Sequence, residues 1–285
     1  MNRPRIIIAY NPKSGSFSQI RLNNLQSGFA SAGYDARFVD SYSEDLLPAA
    51  AAAQHLCVVG GDGTLRDVVA RIQDTENLPS ISVYPAGTIN LVAREALYPA
   101  NIRQFVARVT DVMQTRGHYH CELNSKPMLV CASIGPDSVA VASVSARLKN
   151  RIGRFAYAAA FGKLLLKWPR RTITVLVDGE THVCEAAFVL NGKFFAGPWQ
   201  LSPDADLTQP KFQLLLLPKA RRRDYLRLIA ATVLSRALAP KNWVRISAET
   251  AEIDGAEDVP VQVDGDIAAT LPVKVTMNPR VINFA

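Results

Sequence analysis

Between a short apolar run, Leu56 to Val59, and an amphipathic run carrying Val68, Val69 and Ile72 stand five residues that few folds accommodate: Gly60-Gly61-Asp62-Gly63-Thr64. The first run reads as a buried strand and the second as a helix, so the glycines must turn the chain from one into the other. Glycine lets backbone N–H groups approach an anion without Cβ obstruction. Thr64 is expected to cap the helix, whose positive end favours phosphate. Asp62 is the odd member, because a carboxylate beside phosphates repels them unless a divalent cation or a ribose hydroxyl lies between. The loop points to a nucleotide accompanied by a metal.

The surrounding chain supports that placement. The first ~115 residues alternate short apolar runs with helical periodicity, the pattern of a parallel sheet covered by helices. Strands are expected at Arg5 to Tyr10, Asp35 to Asp40, Leu56 to Val59 and Ser80 to Tyr84. Leu22, Leu25 and Phe29 form one helix face ending at Gly33, and the alanine-rich stretch from Pro48 to Gln54 reads as a second helix. In open α/β sheets ligands bind beyond the carboxyl ends of the strands. Three such ends carry turn chemistry: Asn11-Pro12-Lys13-Ser14-Gly15-Ser16, the glycine run, and Pro85-Ala86-Gly87-Thr88-Ile89-Asn90. Asn11, Ser14 and Gly15 offer donors for phosphate oxygens or simply a turn. Gly87 permits close approach, Thr88 offers a hydroxyl, and Asn90 and Arg94 lie one helical turn apart.

After about His118 the texture changes to strand-like runs with hairpin signals. Arg171 to Val177, the turn Asp178-Gly179 and His182 to Leu190 read as one hairpin; Val259 to Val263, Asp264-Gly265 and Ile267 to Leu271 read as another. A helix is expected from about Arg222 to Leu238, opening on the basic run Arg221 to Arg223. The expected organisation is an α/β nucleotide-binding domain over residues 1–117, to which about 275–285 are open to returning, and an antiparallel β-sandwich domain over 118–274. By local rules Asp264-Gly265-Asp266 is a type I′ hairpin turn and nothing more.

With 285 residues, 48% of them apolar, the chain can bury two cores. No apolar run reaches the ~18 residues of a membrane span, and the chain enters a strand-like run at Arg5 where a signal peptide would lie, so a cytoplasmic protein is expected. Cys57, Cys121, Cys131 and Cys184 lack metal-ligand spacing and read as reduced core thiols. His118 and His120 alternate along a strand-like run without a third ligand, which favours a structural role over a metal site. The net charge of +7 is concentrated: no Asp or Glu stands between Ser138 and Val177, while Arg147, Lys149, Arg151, Arg154, Lys163, Lys167, Arg170 and Arg171 all do. Interleaved with Ile152, Phe155, Phe161, Leu164 and Trp168, they read as a basic amphipathic stretch over 147–171 that suits an anionic membrane surface, against the plainer reading of a solvated helix face. Half of those charges facing a bilayer would contribute about 4 kcal/mol, enough for reversible recruitment at the inner membrane face. No helix-turn-helix, zinc-finger or RNP-like pattern accompanies the charge, so nucleic acid is not expected.

Taken together, the motifs resemble the diacylglycerol kinase catalytic-domain family, which includes bacterial lipid kinases and sphingosine kinases. The resemblance runs through Asn11 to Gly15, Gly60 to Thr64, Pro85 to Asn90 with Ala93-Arg94, Ala132-Ser133-Ile134-Gly135, Gly153 to Tyr157 and Val263-Asp264-Gly265-Asp266, in order along nearly the whole chain. It implies an inter-domain cleft and Mg²⁺-dependent transfer of the ATP γ-phosphate to a lipid hydroxyl, most simply diacylglycerol. Asp266 takes the place of the family's proton acceptor, and Asp62 belongs to the nucleotide and Mg²⁺ site. There are departures. Asp266 replaces a glutamate, so either the cleft closes further or Asp264 shares the role. Leu91 replaces an aspartate of the magnesium network, Gln209-Pro210 replaces an Asp-Gly that forms a structural metal site in some relatives, and Arg66 replaces an asparagine on the first helical turn. Two other readings are a kinase for a soluble acceptor such as NAD and a nucleotide-dependent membrane-binding module without turnover.

Overall fold

The computed structural model describes residues 3–111, 115–144, 162, 164, 168–234 and 240–285. The chain forms two compact units, Met1–His118 with Arg280–Ala285, and Tyr119–Pro279.

The first unit runs β1 (Arg5–Tyr10), α1 (Gln19–Ser31), β2 (Asp35–Asp40), α2 (Leu46–Ala51), β3 (His55–Gly60), α3 (Asp62–Ile72), β4 (Ser80–Pro85), α4 (Leu91–Glu95), α5 (Ile102–Thr110) and β5 (Arg116–His118). Strands β1 to β4 pair in parallel in the order β2-β1-β3-β4, and the expected strands fall where they were placed. The sheet core is near-continuously apolar, as a parallel sheet covered on both faces requires: Ile6 to Ala9 and Leu56 to Val59 are buried throughout. Ser18 caps α1 by accepting from Arg21 N–H, Leu22, Leu25 and Phe29 form its buried stripe, and Gly33 at φ 93° ends it. Each such side chain withdrawn from water contributes about 1.5–3 kcal/mol.

The second unit contains β6 (Cys121–Leu123), β7 (Lys126–Met128), β8 (Cys131–Ile134), α6 (Pro136–Ala142), β9 (Ile173–Val177), β10 (Glu180–Cys184), β11 (Ala186–Leu190), β12 (Phe194–Phe195), β13 (Trp199–Gln200), β14 (Phe212–Leu217), α7 (Arg222–Val233), β15 (Val244–Ala248), β16 (Thr250–Gly255), β17 (Pro260–Val263), β18 (Asp266–Thr270) and β19 (Val273–Met277). These strands make two antiparallel sheets, β10-β9-β16-β19-β6-β7 and β15-β14-β11-β8-β17-β18. Alternate residues of both, among them Ile173, Val175, Ala132, Ile134, Val261 and Val275, share one core, so the unit is a β-sandwich. The chain then returns to the first unit as β20 (Ile282–Phe284), parallel to β4 and antiparallel to β5.

One expected hairpin is divided. The run from His182 to Leu190 is two strands in different sheets: β10 pairs with β9, and β11 pairs with β8 and β14. The break falls at Glu185, whose carboxylate accepts from both Arg170 Nε and Nη2 at 2.7 and 2.6 Å and from Ala220 N–H at 2.9 Å. The Arg170 guanidinium holds that carboxyl at a pKa of about 2. Of the basic stretch expected over 147–171, residues 147–161, 163 and 165–167 lie outside the described residues; Arg170 is bound to Glu185, and Arg171 pairs with Asp258 at 3.0 Å. All four cysteines are buried and outside any disulfide. His118 and His120 do not share a strand face: His118 ends β5 and stacks on Phe284, while His120 belongs to the sandwich unit. Among the described residues, no helix is long and apolar enough to cross a membrane.

Candidate active site

Because β1, β3 and β4 are neighbours, the three loops that leave their carboxyl ends are neighbours too, and the chain closes each with its own polar groups. In the first, Asn11 Oδ1 accepts from Lys13 N–H at 2.9 Å, Ser14 N–H donates to the Asn11 carbonyl, and the Ser14 and Ser16 hydroxyls lie 2.9 Å apart. Gly15 is exposed at the tip. The loop is an Asx turn built locally, which a single sequence window can encode.

The second and third loops are held to each other. Gly61 and Gly87 approach backbone to backbone: a Cβ on Gly87 would lie 2.4 Å from Gly61 Cα and 2.7 Å from Asn90 Oδ1. Glycine is required at position 87 by this inter-loop contact. Asn90, at φ 56°, accepts from Gly87 N–H at 2.8 Å and donates to the Gly87 carbonyl at 2.9 Å, closing the third loop with its amide. Asp62 completes the fastening. Its Oδ2 accepts from Leu91 N–H at 2.9 Å and its Oδ1 from Val92 N–H at 3.0 Å, so a residue of the glycine run caps the helix of the next loop. Asp62 is 8% exposed. Thr88 and Arg94 are exposed beside this arrangement, Gly63 and Arg66 are partly exposed on α3, and Arg66 is that helix's fifth residue.

Thr64 does not cap α3. The N-cap is Gly61, the helix begins at Asp62, and Thr64 stands at its third position with its Cβ lying where a Cβ on Gly60 would fall, 2.6 Å away. The glycine at position 60 therefore makes room for the threonine. Sequence motifs place a hydroxyl near a helix start; here the first helical residue is Asp62, whose carboxylate turns to Leu91 and Val92, 29–30 residues away.

In the sandwich unit, Asp264 and Gly265 have φ 48° and 95°, and Val263 pairs with Asp266 across a two-residue turn, as the type I′ reading requires. The Asp264 carboxylate is 5% exposed and accepts three backbone N–H groups: Leu129 at 2.9 Å on Oδ2, Val130 at 2.8 Å and Cys131 at 3.1 Å on Oδ1. Its own N–H donates to the Cys131 carbonyl. Asp264 thus pins the β17–β18 hairpin to the start of β8. Asp266, one turn residue further on, is partly exposed at the head of β18.

Two polar features escaped the sequence reading. Tyr225 of α7 donates its hydroxyl to Asp137 Oδ1 at 2.7 Å, and burial pushes both groups' pKa values up. Gly135 makes space for this pair, since a Cβ there would meet Ala186 Cβ at 2.9 Å and the Tyr225 hydroxyl at 3.1 Å. An aspartate just after a glycine-proline step was a visible signal; its tyrosine partner, 88 residues away, was not. The other is Glu185 at the sheet switch.

Comparison with known proteins agrees with the fold. The diacylglycerol kinase catalytic domain model matches residues 5–118, and the YegS C-terminal NAD kinase beta sandwich-like domain model matches residues 131–285. The diacylglycerol kinase of Staphylococcus carnosus (strain TM300) is 26% identical over 279 residues, covering 95% of this chain and 91% of the relative. That of Bacillus subtilis (strain 168) is 25% identical over 289 residues, covering 95% and 92%. The crystal structure of a diacylglycerol kinase from Bacillus anthracis str. Sterne superposes with a TM-score of 0.77 at 17% identity, covering 97% of this chain and 95% of that one, a likeness of fold. With both domain models matched in order, the chain belongs to the diacylglycerol kinase catalytic-domain family, in the form that carries the YegS-type β-sandwich.

Proposed function

We propose that this protein is an ATP- and Mg²⁺-dependent lipid kinase that transfers the γ-phosphate to a lipid hydroxyl, with diacylglycerol or a related lipid alcohol as acceptor. The observation that carries the reading is the set of three loops beyond β1, β3 and β4, two of them locked to each other through Gly61, Gly87 and Asp62, in a member of a kinase family.

In this reading Asn11, Ser14, Gly15, Gly60, Gly61, Gly63, Thr64, Gly87, Thr88 and Asn90 form the nucleotide cradle. Arg66 and Arg94 supply positive charge to the phosphates. The loops' internal hydrogen bonds fix the backbone before the nucleotide arrives, which lowers the ordering cost of binding. Among the described residues, no three His, Cys, Asp or Glu side chains converge on a metal position. Asp62, whose two oxygens each accept one backbone N–H and can each accept more than one bond, is the carboxylate that would hold a magnesium ion of the kind bound through one carboxylate and the substrate phosphates. When bound, the ion neutralises charge on the transferring phosphoryl group. Asp266 acts as general base, accepting the proton of the acceptor hydroxyl as its oxygen bonds to the γ-phosphorus, while the bond from that phosphorus to the β,γ-bridging oxygen breaks and ADP leaves. Asp264 positions Asp266 by pinning the hairpin turn.

The test is transfer of labelled γ-phosphate from ATP with Mg²⁺ to diacylglycerol, monoacylglycerol, phosphatidylglycerol, sphingosine and ceramide in mixed micelles, with soluble NAD alongside because the C-terminal domain model is described as NAD kinase-like. Label in a lipid is expected. Label in NADP alone would replace the lipid acceptor with a soluble one, and nucleotide binding without any transfer would favour a non-catalytic membrane module.

A further inference from the structure

We propose that the outward face of α7 is a docking surface for an anionic lipid bilayer. The proposal takes its purpose from the lipid-kinase reading, since a lipid alcohol is met at a membrane, but the surface is read from α7 itself. This helix has two faces of unusual composition. Asp224, Tyr225, Leu228 and Ala231 are buried against the sandwich unit, with Tyr225 packed on Phe188 and Trp168. On the opposite side a helix that only meets water carries polar residues. Here Leu226 is 64% exposed, Ile229 47% and Val233 46%, at spacings of three and four that set them on one ridge, and Leu234 just past the helix is 75% exposed.

The charges beside the ridge have one sign. Arg222 lies one turn before Leu226, and Arg223 and Arg227 flank it. The acid of α7, Asp224, is buried on the inward side and held by Arg221 at 2.7 Å, with Arg227 at 3.9 Å. Among the described residues, Arg222 and Arg223 form no salt bridge. Strand β13 packs beside α7 and presents Trp199, 45% exposed. Exposed leucines scattered singly are ordinary on any protein. An apolar ridge bordered by arginines, with a tryptophan alongside, has the composition that settles into the boundary between headgroups and acyl chains, where guanidinium groups reach lipid phosphates and an indole spans the polar and apolar layers. The absence of acid on the outward face makes the charge complementary to anionic lipid and poorly matched to a second copy of itself.

The test uses the full chain in sedimentation with vesicles of phosphatidylcholine containing phosphatidylglycerol, against phosphatidylcholine alone. Wild-type protein is expected to bind the anionic vesicles. L226Q/I229Q/V233Q should weaken that binding about tenfold or more. R222Q/R223Q should weaken it by about tenfold and flatten its salt dependence. These side chains face solvent, so circular dichroism should be unchanged; should the triple variant unfold, the arginine pair and brominated-lipid quenching of Trp199, lost in W199F, decide alone. Wild-type protein that ignores anionic vesicles, variants that bind like wild type, or a wild-type dimer made monomeric by the triple variant would each overturn the proposal. Phosphoryl transfer to a water-soluble short-chain diacylglycerol reads the kinase assignment separately. Docking through α7 by a protein that transfers nothing removes the kinase reading and leaves the surface, whereas transfer without α7-dependent docking does the reverse.

Discussion

Both units place an aspartate in a glycine-flanked turn and occupy its carboxylate with backbone N–H groups of another segment, but the two turns need the aspartate for different reasons. In the α/β unit the loops leave the ends of parallel strands, where backbone pairing stops at the Ala86 N–H bond to the Gly60 carbonyl; beyond it Asp62 supplies the tie, bonding Leu91 and Val92 of the neighbouring loop. In the sandwich the β17–β18 hairpin holds itself through its ladder, and Asp264 ties the finished turn to Leu129, Val130 and Cys131, where the chain enters the strand beside it. Parallel architecture makes a motif carboxylate an organiser of loops, and antiparallel architecture makes it an anchor of one strand against another. In each case a residue that chemistry alone would assign to a reacting group also has a structural task.

Asp264→Ala should give the largest effect. Three buried N–H groups lose a charged acceptor, and at roughly 1–3 kcal/mol for each such loss the urea midpoint should drop by the equivalent of about 3 kcal/mol or more. An unchanged midpoint would remove the anchor role. Asp62→Ala strands two N–H groups at the first turn of α4, and about 2 kcal/mol is expected, with faster amide exchange at Leu91 and Val92. Exchange rates that stay put would show that the loops hold without it.

Two buried histidines sharpen the contrast at smaller cost. His55 is neutral between Ser80 and Ser82, whose hydroxyls lie 2.7 Å from its two ring nitrogens, and burial lowers its pKa to about 3. His120 in the sandwich is also buried, with a pKa lowered to about 4, yet neither ring nitrogen has a hydrogen-bond partner among the described residues. His55→Leu should therefore cost about 1–2 kcal/mol, while His120→Leu should be neutral or stabilise by up to about 1 kcal/mol. The sign of the pH effect follows from the depressed pKa values. Between pH 6.5 and about 3 the unfolded state binds more protons at position 55, so stability falls as the solution is acidified, by roughly 1–2 kcal/mol between pH 6.5 and 5. His55→Leu should flatten that slope; an unaltered slope in urea melts across this range would contradict a buried neutral imidazole.

The smallest effect is expected at Glu185, whose depressed pKa stabilises the fold above about 4.5 and ceases to do so as the pH falls toward 2. Arg170→Gln should lower the thermal midpoint only slightly at neutral pH, since Ala220 and Lys219 still face the carboxylate. The gap between the thermal midpoints of wild type and variant should be widest near neutral pH and narrow as the pH is lowered from about 4.5 toward 2.

The extent to which the sequence foretold these features follows the range of each interaction. Strands β1 to β4 and helix α1 were legible because their apolar period is local and their ends carry Gly33 or turn residues. The Asp264-Gly265 turn was legible because positive φ at two successive positions selects those residue types. The division of His182 to Leu190 between two sheets was not, since period-two alternation says nothing about which strand lies alongside. Asp62 was legible as a special residue, but its partners were hidden because they come from another loop. The same holds for Gly87, whose glycine answers to Gly61 across the loops. Thr64 misled because a hydroxyl near a helix start is a common cap, and here the helix starts two residues earlier.

The division of labour between Asp264 and Asp266 is tested most directly by preparing Asp264→Asn and Asp266→Asn and measuring, on the same samples, the urea midpoint and γ-phosphate transfer to diacylglycerol. The account predicts a wild-type midpoint with transfer reduced at least about 100-fold for Asp266→Asn, and a lowered midpoint with partial transfer for Asp264→Asn. Retained transfer by Asp266→Asn, with transfer abolished in a fully stable Asp264→Asn, would contradict it and assign the base to the turn residue.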